Sequence, residues 1–299
     1  IVITDRALNS ITDTTKTITV DNTAPTIALT YSANPTKASV MTITATYTEN
    51  GSIIGTPQIS IDQQGSTDIT NAAMTPTLDP KVWTYPYTVT AANAPTYVDG
   101  TATVSLSTVT DAAGNNVAAS TNNTFTIDTT APTATITSPL ADAVVKNGNV
   151  NLGFDSTDGS VCAYSVGGGS YTPLADCTSP KTITLADGRN SIVLKVTDVA
   201  GNFKESDAVS FVVDTNNNLT VGATSADFAT IQEAVTKATA GDTISVAAGT
   251  YAEPIQTLAA CNEPASLCID KPLTLRGEPG DAVAGPGLNA PVLNGTGLG

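Results

Sequence analysis

The chain has 299 residues, and its 12 basic and 27 acidic side chains give a formal net charge of −15. This balance argues against a nucleic-acid-binding face, which needs clustered Lys and Arg to neutralise phosphates. The sequence contains no histidine, which excludes Ser-His or Cys-His nucleophile pairs and His-ligated zinc. No apolar run approaches the roughly 20 residues of a membrane-spanning helix. Abundant Thr, Val, Asn, Gly and Asp favour strands joined by turns, so we expect an almost all-β protein.

One phrase occurs three times along the chain. Each copy starts with an aspartate in a Thr-Asp step and closes with a second aspartate 16 or 17 residues later. The three aspartate pairs are Asp5 with Asp21, Asp111 with Asp128, and Asp198 with Asp214. In the second copy a predicted strand runs into Asp-Ala-Ala-Gly-Asn, where Gly114 permits a positive φ and the Asx side chains bond nearby backbone. The repetition predicts a reused module.

Prolines mark the predicted module boundaries. Proline has no amide hydrogen to give to a sheet ladder and lies at strand ends, so Pro25 and Pro132 are natural hinges. Boundaries are therefore predicted near residues 24 and 131, and an Asn-Asn-Asn run marks a third near 217. Between the hinges, short alternating runs separated by turns predict antiparallel β-sandwiches. In chain order these runs are 26–31, 40–47, 58–62, 82–89, 102–109 and 123–127, then 134–138, 149–156, 161–166, 181–185, 190–197 and 208–213.

The recurring phrase, followed by Asp-x-Thr-Ala-Pro-Thr at the start of the next unit, resembles tandem bacterial Ig-like domains of long surface and secreted proteins. The resemblance covers residues 1 to about 217. It implies the closing strands of an incomplete domain at 1–24, an Ig-like domain at 25–131, and a second Ig-like domain at 132–217. The first copy departs from the pattern, because its turn reads Arg-Ala-Leu-Asn without the glycine.

The four cysteines fall as two close pairs, Cys162 with Cys177 and Cys261 with Cys268. Neither pair has the CxxC spacing of zinc or thioredoxin-like chemistry. An even, paired count in a Thr-rich acidic chain suggests disulfides and an oxidising, exported location. Buried free thiols are the alternative. The Ig-like resemblance implies a cross-strand disulfide between the first two.

The last eighty residues follow a different pattern. Ile231, Ala234, Val235 and Ala238 lie at i, i+3, i+4 and i+7, which predicts an amphipathic helix of about three turns with Ser225 or Asp227 as its N-cap. The order of this helix and the phrases at 240–244, 248–251 and 273–277 resembles the N-terminal cap and opening coils of a right-handed parallel β-helix of the pectin-lyase-like group. The resemblance implies that 218–299 begins such a fold, with one capping α-helix and a loop closed by Cys261 and Cys268.

Oxygen-bearing side chains recur at the predicted hinges and suit Ca²⁺, which takes six to eight oxygen ligands. The candidate ligands are Asp111, Asn115 and Asp128 at one junction, and Asp198, Asn202 and Asp214 at the next. The same Asp and Asn side chains can instead bond turn amides. Calcium is the one cofactor that the sequence suggests.

No catalytic residue is predicted. Asp155 with Asp158, or Glu253 with Asp270, form nominal acid and base pairs of a kind that any acidic chain contains by chance. An alternating aromatic pattern at 83, 85 and 87 could form a sugar-stacking patch, but core and edge-strand packing produces the same pattern.

These features predict a non-enzymatic, exported bacterial surface stalk, adhesin or filament protein. Two alternatives stay open: a secreted polysaccharide-active β-helix enzyme whose catalytic coils lie beyond this chain, and a protomer that exchanges strands with its neighbours. We expect the sequence to be a window from a longer protein, because 1–24 supply too few strands for a sandwich and 218–299 too few coils for an independent β-helix. The expected partners are chains of the same type or a cell-surface or polysaccharide ligand, at an extracellular location.

Overall fold

A computed structural model describes the chain at residues 2–4, 6–7, 9–12, 20–65, 68–254, 256–257, 264–265, 267–278 and 292–296. The chain divides into two compact units, residues 1–130 and residues 131–299. The predicted all-β class is confirmed, since one short helix accompanies many strands in the described residues. None of the described helical residues forms a segment long and apolar enough to cross a membrane.

Unit 1 contains a two-sheet antiparallel sandwich. Its strands are β1 (Val2–Thr4), β2 (Ser10–Thr12), β3 (Thr26–Tyr31), β4 (Val40–Thr48), β5 (Ile53–Ile54), β6 (Gln58–Asp62), β7 (Ile69–Ala73), β8 (Thr75–Pro76), β9 (Val82–Thr88), β10 (Gly100–Leu106), β11 (Thr110–Asp111) and β12 (Thr124–Ile127). One sheet has the order β3-β4-β9-β8 and the other β12-β10-β6-β7, while β1 pairs with β2 and β5 with β11.

The core of unit 1 follows from strict alternation along these strands. In β4, Met41, Ile43 and Ala45 point inward between exposed or half-exposed neighbours. Ile59 and Ile61 of β6 do the same from the opposite sheet. Because a strand has a side-chain period of two, one face of each sheet is buried and the other faces solvent. Each fully buried Ile contributes roughly 1.5–3 kcal/mol of hydrophobic stabilisation.

Unit 2 begins with a second sandwich. Its strands are β13 (Thr133–Ser138), β14 (Val144–Val145), β15 (Asn149–Thr157), β16 (Val161–Val166), β17 (Thr172–Pro173), β18 (Lys181–Thr184), β19 (Gly188–Thr197), β20 (Phe203–Glu205) and β21 (Val209–Val213). One sheet has the order β13-β15-β18. The other has the order β14-β21-β19-β16-β17, and β20 pairs with β19. Leu152, Ile192, Leu194 and Phe211 form the centre of the core between them.

The disulfide that the Ig-like resemblance implies is present. Cys162 of β16 is bonded to Cys177, 15 residues later, and Cys162 is buried within the sandwich core. Cys268 is also buried and disulfide-bonded, whereas its predicted partner Cys261 lies outside the described residues.

Parallel pairing distinguishes the C-terminal part of unit 2. Its elements are β22 (Asn218–Val221), α1 (Ile231–Lys237), β23 (Thr243–Val246), β24 (Thr250–Pro254), β25 (Gln256–Thr257), β26 (Pro264–Ala265), β27 (Thr274–Gly277) and β28 (Val292–Thr296). Strands β22, β23 and β27 pair in parallel and in register, and β24 pairs in parallel with β28. The buried face of α1 packs against the β22–β23 strands through Ile231, Ala234 and Val235.

The predicted N-cap of the helix was wrong. Thr230, rather than Ser225 or Asp227, caps α1 through a bond from Glu233 N to Thr230 Oγ1 at 3.2 Å. Asp227 lies too far upstream, and its Oδ2 accepts bonds from the main-chain N and the hydroxyl of Thr220. The helix is also shorter than predicted, with seven residues.

Candidate functional site

The turn after β11 is built around Asp111. Its Oδ1 accepts bonds from the amides of Ala113 and Asn115, both at 2.9 Å, and its Oδ2 accepts a bond from Asn115 Nδ2 at 2.8 Å. Gly114 has φ +94° at the point where the chain reverses. The Asn115 bond lowers the pKa of the Asp111 carboxyl, against the opposing effect of burial. Both carboxylate oxygens therefore take part in the turn.

The turn after β19 repeats this arrangement. Asp198 Oδ1 accepts a bond from Asn202 N at 2.8 Å, and Oδ2 accepts one from Asn202 Nδ2 at 2.8 Å. Gly201 has φ +89° at the same place in the turn. The second and third copies of the sequence phrase thus form the same turn in two successive sandwiches, while Asp5 of the first copy lies outside the described residues.

The remaining predicted calcium ligands have other partners. Asp128 Oδ1 accepts a bond from Thr130 N, and Asp214 is held by Lys146 and by Asn218 N. Carboxylate oxygens of Asp21 and Glu49 instead approach that of Asp111, all within 4.8 Å of one another. The sequence did not indicate Glu49, because nothing in its local pattern places it beside a turn about sixty residues away.

The nominal catalytic pairs have structural surroundings. Asp155 and Asp158 are exposed, and Asp270 forms an ion pair with its neighbour Lys271. Glu253 is fully buried, and its carboxylate accepts bonds from the first two amides of α1, Ile231 N at 2.5 Å and Gln232 N at 3.3 Å. These contacts assign Glu253 to the helix terminus rather than to proton transfer.

The alternating aromatics of β9 belong to the unit 1 core. Tyr87 is buried, donates a hydrogen bond to Gln63 and meets the Phe125 ring edge-on at 5.8 Å. Trp83 and Tyr85 are half-buried against the same core. The packing interpretation of this pattern is therefore the one that the structure supports.

A buried ion cluster that the sequence did not reveal lies within unit 2. Lys146 Nζ is 2.6 Å from Asp214 Oδ2 and 2.6 Å from Asp242 Oδ2. The two aspartate side chains are 1% and 3% exposed. Burial raises the pKa of the Asp242 carboxyl, but the bonds from Lys146 and Thr239 outweigh it and leave the pKa lowered. All three groups are charged in this arrangement.

A cleft of about 550 Å³ lies beside α1. On one wall, Arg189 forms an ion pair with Asp142 at 2.5 Å and donates to the main-chain oxygen of Asp227 at 3.0 Å. Glu233 and Lys237 of α1 line the other wall. Arg189 thereby connects the second sandwich to the segment that precedes the helix.

Exposed aromatic rings occur on the outer face of the second sandwich. Lys195 Nζ lies 4.1 Å from the centre of the Phe203 ring and 5.3 Å from that of Tyr171. Phe203 is 52% exposed and Tyr171 37% exposed. We call these three residues the aromatic platform. The sequence did not indicate it, since Tyr171 lies 32 positions before Phe203 and the two meet only through the sheet.

No protein-family model matches the chain. Halomucin from Haloquadratum walsbyi is 29% identical over 124 residues, which are 38% of this chain and 1% of halomucin. The fibronectin(III)-like modules of Clostridium thermocellum CbhA align with a TM-score of 0.38 and 14% identity, over 62% of this chain and 94% of theirs. The Bacteroides ovatus mixed-linkage glucan utilization locus SGBP-B, in complex with a mixed-linkage heptasaccharide, aligns with a TM-score of 0.19 and 12% identity, over 64% of this chain and 61% of its own.

Proposed function

We propose that the chain is a non-enzymatic, exported surface protein in which tandem Ig-like sandwiches serve as a stalk. The observation that carries this proposal is the repetition of one turn, Asp111 with Asn115 and Asp198 with Asn202, at the same point of two successive sandwiches. A module that recurs with its closing turn intact supplies length and mechanical repetition.

Two further observations support an exported protein. The Cys162–Cys177 disulfide is of a kind that persists in oxidising compartments. The matched segment is about a hundredth of halomucin, which fits a piece of a very long, repetitive protein.

The C-terminal part of unit 2 is, in this proposal, the start of a right-handed parallel β-helix at 218–299. Support comes from the parallel register of β22, β23 and β27 and from α1 packed against the first two strands. An amphipathic helix at this place protects the apolar end that a stack of coils leaves open. The modules at 1–24, 25–131 and 132–217 are proposed on the Ig-like resemblance.

The proposal is tested by limited proteolysis of intact cells that carry the gene, followed by mass spectrometry without reduction. We expect peptides of both sandwiches to be released from intact cells, with Cys162 and Cys177 joined. Recovery of the chain solely from lysed cells, with both thiols reduced, would refute export. Incubation with acidic and neutral polysaccharides should release no reducing ends above a protein-free blank, and release that survives purification would establish an enzyme instead.

A strand-exchanging protomer is the second candidate, because the β1–β2 hairpin leaves Val2 and Ile3 61% and 65% exposed. Apolar strand residues in solvent favour pairing with another sheet. Light scattering across a concentration series decides this point. Strand exchange requires mass to grow with concentration and to stop growing when Val2 and Ile3 are replaced by Lys.

A further inference from the structure

We propose that the aromatic platform of Tyr171, Lys195 and Phe203 is a binding site for acidic polysaccharide, with the ligand's carboxylate on Lys195 and its sugar ring against the exposed aromatic surface. The proposal goes beyond the stalk function and does not depend on it.

Sheet register places the platform on one surface. Lys195 is opposite Ala163 of β16 and Glu205 of β20, and Thr197 is opposite Val161 and Phe203. Directly opposite residues in antiparallel pairs share a face. The inward residues of β19, Leu194 and Val196, fill the sandwich core, so the platform residues lie on the outer face.

The platform is held rigidly. The chain reverses after β16 at Gly167 and Gly168, whose φ values of +58° and +75° suit glycine. This turn returns Tyr171 to the sheet, where its hydroxyl bonds with Glu205 and Ser165. The Cys162–Cys177 bond closes the same segment. A site ordered before binding loses less conformational entropy when a ligand arrives.

The charge at the centre of the platform favours an anion. Among the ion pairs of the described residues, none involves Lys195, and Glu205 is engaged by Tyr171. The ammonium is held within cation–π range of two rings. A carboxylate can bind it without first displacing an ionic partner.

The shape of the surface favours a sugar over a peptide. The platform is an open sheet face, and Val161 beside it is 56% exposed, so side-chain pockets of the kind that read peptides are not needed for contact. A pyranose ring offers a flat C–H face to an aromatic ring and carries its carboxylate at the edge. The chain's own negative charge opposes a polyanion at long range, but this repulsion is screened beyond about 8 Å at physiological ionic strength.

The test uses the full chain and calorimetric titration with three probes: oligogalacturonate, its methyl ester and polyglutamate. We expect oligogalacturonate to bind, the ester to bind at least about tenfold more weakly because it lacks the charge, and polyglutamate not to bind. Phe203→Ala should weaken oligogalacturonate binding about tenfold through lost ring contact. Lys195→Met should weaken oligogalacturonate binding but not ester binding.

Val199→Ala, at a 70% exposed position in the adjoining turn, is the matched control and should bind as the wild type does. Melting temperatures show whether each variant folds. Absence of oligogalacturonate binding by the folded wild type, equal binding of the ester, or binding unchanged in both Phe203→Ala and Lys195→Met would overturn the proposal. Preferential binding of polyglutamate would identify an acidic-peptide site instead.

Discussion

The ammonium of Lys146 lies 2.6 Å from Oδ2 of Asp242, a residue 96 positions further along the chain. Lys146 follows β14 of the second sandwich, and Asp242 precedes β23 of the parallel sheet. Val144 and Val212 of the sandwich also contact the apolar core around α1. Within unit 2 the sandwich and the parallel strands are therefore connected by both an ion cluster and apolar packing.

Lys146→Met should destabilise unit 2. The substitution keeps the aliphatic stem but leaves two nearly buried carboxylates side by side without their cation. We expect a loss of about 2–3 kcal/mol, less than for a fully buried pair because Lys146 is 31% exposed. Scanning calorimetry of the full chain gives the stability change, and hydrogen exchange should rise at residues 239–246.

The matched control is Lys204→Met, at an exposed lysine of β20. It removes the same charge without touching Asp214 or Asp242, so its transition should stay close to that of the wild type. Equal destabilisation by the two variants would show that net charge, rather than the ion cluster, determines the effect.

Acid should weaken the same connection. The Asp242 carboxyl has a lowered pKa in the folded protein, so its contribution to stability is fully present above the ordinary aspartate pKa of about 3.9. That contribution is lost as the pH falls through the folded-state pKa. Asp242→Asn should reduce the loss of melting temperature between pH 5 and pH 3, relative to Asp207→Asn at an exposed position. Parallel pH profiles for the two variants would contradict this assignment.

Local patterns predicted the strands because burial on one face imposes a period of two. The runs predicted at 26–31, 58–62 and 161–166 coincide with β3, β6 and β16. The same reasoning could not find the Lys146 cluster or the aromatic platform, since both depend on which strands become neighbours. The helix N-cap was wrong for a related reason: Asp227 is a good capping residue by type, but Thr220 engages it across β22.

The Asp111 turn allows a direct test of calcium. Asp111→Asn keeps an oxygen for the amides of Ala113 and Asn115 but removes the charge that a calcium site needs. Because the turn already uses both carboxylate oxygens, we expect the unit 1 melting temperature to be the same in millimolar calcium and in EDTA. Asp111→Ala should lower it in both, since two amides lose their acceptor.

Calcium binding would give a different result. A ligand that binds the folded state raises its stability, so the wild type would melt higher in calcium than in EDTA, and Asp111→Asn would abolish that difference. Asp99→Asn, at another carboxylate of unit 1 that is bonded by Thr129 and Thr130, controls for a general loss of charge.

Glu253 should act through α1 rather than through chemistry. Its buried carboxylate accepts the first two helix amides, and a negative charge near a helix N-terminus is favourable. Glu253→Ala leaves both donors buried without their acceptor, which should cost about 1–3 kcal/mol and raise hydrogen exchange at Ile231 and Gln232. Glu253→Gln keeps an acceptor of the same shape and should lose less. If both variants exchanged as slowly as the wild type, the helix would be held by its apolar face alone, because the packing of Ile231, Ala234 and Val235 would then suffice without the carboxylate.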